Sequence, residues 1–192
     1  MTPVAALVFA DFTCPFSYVT EAALWRLAEE TPLDLAFRAF ELHPVPAPLP
    51  FDSLAERVSA ARPLADELGI DLKTPAVLPR TRKAHEVAAL AAEKGFAVPM
   101  RRALYQAVFR DGLDVGRIDV LVRLASEVGL DVTETKVVLD VDRLTEQVTA
   151  ETEDARRAGV NAVPTVIVGS GTDAKVLEGA LPLGELRRVI VG

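Results

Sequence analysis

One cysteine, one tryptophan and two histidines are all that this 192-residue chain holds of three chemically distinctive residue types. A single cysteine excludes any internal disulfide and suits a reducing compartment. One Cys and two His at distant positions do not make a zinc pattern, so no metal site is expected. No run of about 18 apolar residues is present, so no transmembrane helix is expected. The opening MTPVAALVFADF lacks a basic leader and a cleavage signal, and reads as a first strand in a cytoplasmic protein. Basic residues are outnumbered, 21 Lys and Arg against 28 Asp and Glu, giving a net charge of −7. Such a balance argues against nucleic acid, whose phosphates need a basic surface. No Gly-x-Gly-x-x-Gly or phosphate loop follows a strand, so no nucleotide is implied.

What is present is a folded, soluble composition, 50% hydrophobic and 26% charged, in a chain long enough to bury a substantial core. Val4–Phe9 is a short apolar strand. Residues 15–30 are helical, with Pro15 tolerated in the first turn, and Pro32 ends the element. Leu33–Leu42 alternates as a strand does. The resulting β-α-β crossover predicts parallel strands. The segment His43–Asp52 carries four prolines and reads as an extended loop. Helices are predicted over 53–68, 80–94, 98–110, 117–128 and 142–158, with Gly69, Gly95, Gly112, Gly129 and Gly159 as stops. Strands follow at 163–168 and 174–177, joined by a turn at Gly169–Thr172, and a last helix spans 183–191.

The lone Cys14 falls between the first strand and the first helix. Helix N-termini stabilise anions, and a thiol there can fall from pKa ~8.5 to roughly 3.5–7.5. The alternative is a buried, inert small hydrophobe. In Cys14-Pro15-Phe16-Ser17, Ser17 stands where a Cys-x-x-Cys motif has its second thiol; it is equally suited to satisfying a first-turn backbone donor. Phe16 and Tyr18 wall the site or serve packing. His43, at the end of the second strand, lies where ligands collect in parallel sheets and is a candidate for stabilising a thiolate or moving a proton. Arg80, Arg82 and Lys83 form a small basic cluster, either an anion attractant or a solvated helix start. Asp11 and Glu41, if buried near the thiol, would raise its pKa and relay protons.

These pieces in order, DFTCPFSYV, FELHP, TRKAHEVAALAAEKG, ALYQAVFRDGLDVGRIDVLVRLASEVGLD and ARRAGVNAVPTVIV, resemble the DsbA-like thioredoxin family. The chain looks most like its FrnE-type branch, which overlaps the 2-hydroxychromene-2-carboxylate isomerases and kappa-class glutathione transferases. The resemblance implies an α/β thioredoxin-like fold with a large all-helical insertion. Its parts would be residues 1–48 and 142–192 for the thioredoxin-like domain and 49–141 for the insertion. It also implies a cis-proline at Pro164 beside the active cysteine, leaving the Val163 backbone to pair with a peptide or glutathione. Pro15, Phe16, His43 and His85 become substrate-binding candidates, although Arg80-Thr81 and Glu86 depart from the family pattern around His85. Cys14 and Ser17 become the catalytic candidates.

Disulfide donors of this family resolve a mixed disulfide with a second cysteine; Ser17 cannot. Three readings follow. Cys14 works as a monothiol oxidoreductase, cleared by an outside thiol. Alternatively, Ser17 or Cys14 orients glutathione for a glutathione-dependent isomerase or transferase. Or the site is vestigial and the protein is a binding module. No tightly bound cofactor is expected; glutathione is the candidate co-substrate, and a thiol or disulfide of glutathione or protein the candidate partner. The resemblance also allows a homodimer, as isomerase and transferase relatives often form.

Overall fold

The structure, a computed structural model, describes residues 3–191. Four strands, β1 (Val4–Ala10), β2 (Leu33–Ala39), β3 (Thr165–Val168) and β4 (Lys175–Glu178), form one sheet in the order β2-β1-β3-β4. β1 and β2 are parallel, joined by the crossover helix α1 (Pro15–Glu30); β3 runs antiparallel to both β1 and β4. β1 shows no alternation because it is the strand buried on both faces. Ala6, Val8 and Ala10 meet Val166 and Val168 under Ala23, Leu24 and Leu27 of α1 and under Leu186 and Ile190 of α8 (Leu183–Val191). The opposite face carries Phe9 against Phe40, Ala155 and Val160. Burying each large aliphatic side chain contributes roughly 1.5–3 kcal/mol, so two packed faces hold β1 in a single register.

Between β2 and β3 lie α2 (Leu54–Glu67), α3 (Arg82–Glu93), α4 (Ala97–Phe109), α5 (Ile118–Glu127), α6 (Val132–Asp140) and α7 (Thr145–Arg157). Their shared core reaches back to the first motif: Phe12, Tyr18, Val19 and Trp25 pack with Leu54, Val87, Leu104, Tyr105 and Phe109. No helix among the described residues is long and apolar enough to cross a membrane.

Several boundaries differ from the sequence reading, each for a physical reason. β2 stops at Ala39 because the N–H groups beyond Phe40 leave the ladder. Phe40 N still bonds Ala10 O of β1, but those of Glu41 and Leu42 go to Thr152 Oγ1 and Asp11 Oδ2. β3 begins at Thr165, since Val163 O is occupied by the Cys14 thiol and Pro164 has no N–H to give the ladder. α3 begins at Arg82, the Thr81 hydroxyl being drawn to Asp11. The predicted helix at 142–158 starts three residues later, after Asp142 at φ 56°.

α6 has no counterpart in the sequence reading. Its β-branched VTETKVV run is a poor helix former, but Asp131 caps it by accepting from Glu134 N at 2.7 Å. That Asp-x-x-Glu spacing was the available signal. The glycine stops do hold. At the end of α7, Gly159 at φ 88° bonds Arg156 O while Val160 N bonds Ala155 O, a geometry that disfavours side chains.

Candidate functional site

Cys14 is the N-cap of α1, its side chain fully buried. Two partners hold its sulfur. The thiol donates to Val163 O at 3.4 Å, and Arg57 Nη2 donates to Sγ at 3.4 Å. The loop after α7 and the first turn of α1, 149 residues apart, thus meet at one atom. The Val163–Pro164 bond is cis, as is Val45–Pro46. Pro164 O accepts from Gly179 N at 2.8 Å, while Val163 N–H has no partner among the described residues.

Helix-start position led to the expectation of a lowered thiol pKa, and the structure corrects it. Burial pushes the Cys14 thiol up, and this outweighs the opposing effects of the Ser17 hydroxyl, the Arg57 charge and the Ser17 N–H; the Asp11 carboxylate pushes it up further. The geometry agrees. A thiol S–H satisfies Val163 O, whereas a thiolate would face that carbonyl's negative end. The resting sulfur is a neutral thiol, and the Ser17 hydroxyl and Arg57 guanidinium are placed to favour its ionisation.

Asp11 organises the turn. Its Oδ1 accepts from Thr13 N at 2.7 Å and Thr13 Oγ1 at 2.5 Å; its Oδ2 accepts from Leu42 N and Thr81 Oγ1, both at 2.9 Å. The β1–α1 turn, the end of β2 and the start of α3 therefore converge on one buried carboxylate. Burial pushes that carboxyl up, but the His85 ring, Thr13 and Leu42 pull it down more, to about 2. A group held ionised to pH 2 is a poor proton carrier, so Asp11 anchors the turn and does not relay protons.

The other sequence candidates separate into two groups. Ser17, fully buried, stays at the site, its Oγ 3.5 Å from Asp11 N. Pro15 is buried as the first helical residue, and Phe16 packs half-buried against the helical core. Tyr18 stacks on Tyr105 at 5.0 Å and serves packing. His43 is near but does not bond the sulfur; its carbonyl accepts from Arg80 Nη1 at 2.7 Å. Burial first, then the charges of Arg57 and Arg80, lower its pKa, so its neutral form is favoured.

His85 does not bond the Cys14 sulfur. It is 2% exposed, packs tilted by 43° against the Phe12 ring at 4.8 Å, and points Nε2 at Asp11 Oδ2 from 3.6 Å, beneath the turn. It borders a cavity of ≈ 350 Å³ under β2 with Phe37, Ala88 and Arg101. The basic cluster also disperses. Arg82 pairs with Glu41 at 2.6 Å, and Lys83 pairs with Glu86 and Asp142. Glu41 is thereby held away from any role at the thiol. Among the described residues no group of three His, Cys, Asp or Glu side chains is placed to hold a metal ion.

Two features escaped the sequence reading. Arg57 sits in α2, 43 residues from the cysteine, and no motif flags it. A buried Glu21–Arg101–Tyr105 cluster ties α1 to α4: Arg101 Nε and Nη2 donate to Glu21 at 2.6 and 2.5 Å, and Tyr105 Oη donates to it at 2.7 Å. The guanidinium also lies over the rings of Phe12 and Phe37. Helical spacing places Glu21 two turns from Cys14 on the same side of α1, but only the tertiary contact identifies its partner.

Comparison with known proteins agrees with this architecture. Residues 6–191 match the model of the DSBA-like thioredoxin domain. The uncharacterised Bacillus subtilis protein YwbO is 31% identical over 175 residues, covering 84% of this chain and 85% of its own. A probable DsbA oxidoreductase from Streptomyces coelicolor superposes with a TM-score of 0.84 at 22% identity, covering 98% of this chain and 88% of that one. The cytosolic disulfide reductase DsbM from Pseudomonas aeruginosa, solved with GSH, gives 0.68 at 19% identity, over 91% and 89%. The chain belongs to the DSBA-like thioredoxin domain family.

Proposed function

We propose that the protein is a monothiol thiol–disulfide oxidoreductase of a reducing, cytoplasmic environment, acting through Cys14 with glutathione as the resolving thiol. One observation carries this reading: Cys14 Sγ stands at the start of α1 between the Arg57 guanidinium and the Val163 carbonyl, with a buried Ser17 in place of a second thiol. The Cys14 thiolate attacks one sulfur of a disulfide. A new S–S bond forms to Cys14, the old one breaks, and the leaving sulfur departs with the bonding electrons and takes up a proton. A glutathione thiolate then attacks the substrate sulfur of the mixed disulfide, which restores the Cys14 thiolate and releases a substrate–glutathione disulfide. In a second round Cys14 takes the glutathionyl sulfur of that disulfide, releasing the second substrate thiol, and a second glutathione removes it, so that in total one disulfide is reduced and two glutathiones are oxidised to one glutathione disulfide.

Site geometry supports each step. Val163 N–H is free to bond a substrate backbone carbonyl, and Val163 O becomes available once the thiol has lost its proton. Arg57 and Ser17 stabilise the attacking thiolate. The solved DsbM neighbour is a disulfide reductase with GSH bound, which favours glutathione as the second molecule.

The test is incubation with oxidised glutathione followed by intact mass. One glutathionyl group is expected on the wild type, none on Cys14→Ala, and reduced glutathione should remove it. No adduct on folded wild type overturns the reading. Saturable binding of reduced glutathione that persists in Cys14→Ala and is lost in Ser17→Ala would transfer the assignment to a glutathione-dependent isomerase or transferase.

A further inference from the structure

Cys14 has no solvent exposure, yet any disulfide must reach its sulfur. One of the hydrogen-bond partners of Sγ is the Arg57 side chain, a half-buried guanidinium from α2. A long side chain can swing aside where a backbone carbonyl in a strand-entry loop cannot. Arg57 forms no ion pair among the described residues, its hydrogen bond being to the sulfur. Arg80 likewise lacks a carboxylate and bonds the His43 carbonyl at 2.7 Å. The half-buried His43 feels both charges. The nearest buried acid, Asp11, is already saturated by Thr13, Leu42 and Thr81 and points into the fold. In a chain of net charge −7, Arg57 and Arg80 beside the thiol turn thus carry no carboxylate partner of their own, the one buried acid that acts on the thiol being Asp11.

We propose that Arg57, assisted by Arg80, makes the site selective for disulfides that carry a carboxylate close to the sulfur: the substrate carboxylate draws the Arg57 guanidinium off Cys14 Sγ and uncovers it for attack. A guanidinium bonds a carboxylate through two parallel N–H groups and a thiol through one weaker contact, so a carboxylate is the better partner. A cationic disulfide offers no such exchange and meets two positive charges. The inference rests on the thiol–disulfide reading above, and adds to it which substrates open the site.

The test uses the full chain and three small disulfides: oxidised glutathione, which is anionic; bis(2-hydroxyethyl) disulfide, which is neutral; and cystamine, which is cationic. The rate of mixed-disulfide formation on Cys14 is followed by quenched intact mass for wild type, Arg57→Gln, Arg57→Lys and Arg80→Gln. Losing thiolate slows all three disulfides by one common factor, so the ratio of glutathione disulfide to cystamine isolates selectivity. That ratio should fall about tenfold in Arg57→Gln, equivalent to about 1.4 kcal/mol. It should fall less in Arg80→Gln and be kept largely by Arg57→Lys.

In the wild type alone the ratio should also fall between about 0.15 and 1 M salt, as the screening length drops from about 8 to 3 Å. This arm stands even if Arg57→Gln does not fold. A ratio unchanged within about twofold in Arg57→Gln, or flat with salt in the wild type, overturns the selectivity while leaving the thiol chemistry intact. Adducts with none of the three disulfides overturn the thiol reading itself, and this inference with it.

Discussion

Asp11→Asn should weaken the fold and make Cys14 more acidic at the same time. The carboxylate accepts four hydrogen bonds, two on each oxygen. An asparagine keeping its oxygen toward Thr13 turns its amide N–H₂ toward Leu42 N and the Thr81 hydroxyl. The hydroxyl can rotate to accept, but the Leu42 N–H cannot, and a buried unpaired donor costs about 1–3 kcal/mol. The lost charge adds to this. A carboxyl shifted from 3.8 to about 2 contributes about 2 kcal/mol to stability at neutral pH.

Because the folded value is the lower one, this contribution is complete above 3.8 and vanishes as pH falls through about 2. The total, about 3–5 kcal/mol at pH 7, corresponds to a Tm fall of about 6–20 °C in a chain of this size. At the thiol the sign is opposite, since Asp11 opposes ionisation of Cys14. Urea unfolding of both proteins at pH 7 and at decreasing pH reads the first effect; the pH midpoint of Cys14 alkylation reads the second. A stability gap under about 1 kcal/mol, a gap that does not narrow on acidification, or an alkylation midpoint that rises would refute the reasoning.

Two further outcomes are expected. Arg101→Met leaves Glu21 buried without its counter-charge and should cost about 3–5 kcal/mol, part of which Glu21→Gln in the same chain restores; a urea midpoint shift equivalent to under about 1 kcal/mol would contradict the arrangement. Ser17→Cys supplies the missing resolving thiol. Exposure to oxidised glutathione should then yield an internal disulfide, read as loss of two hydrogens by intact mass, in place of the stable adduct; persistence of the adduct would show that residue 17 cannot reach the Cys14 sulfur.

Much of the fold was legible because it depends on local pattern. The β-α-β opening, the glycine-terminated helices and the closing β-β-α unit follow from apolar spacing and from Pro and Gly placement, which act within a few residues. The misread boundaries sit where a distant group takes a backbone or side-chain donor. Leu42 N and Thr81 Oγ1 go to Asp11, so β2 ends early and α3 starts late. α6 was missed because β-branched residues obscured a helix whose cap alone declared it.

For the site, the chain order by itself determined that a single thiol stands at a helix start with a serine three residues on, and that no second cysteine can complete a dithiol. What surrounds that thiol was decided only in three dimensions. Its ionisation depends on burial and on neighbouring charge, and both are set by contacts across the fold: Arg57 from α2, Val163 from the loop before β3, and Asp11 held by three elements. The helix start alone argued for an acidic thiol; packing reversed the sign, because removing the sulfur from water outweighs what one helix end and one guanidinium return to it.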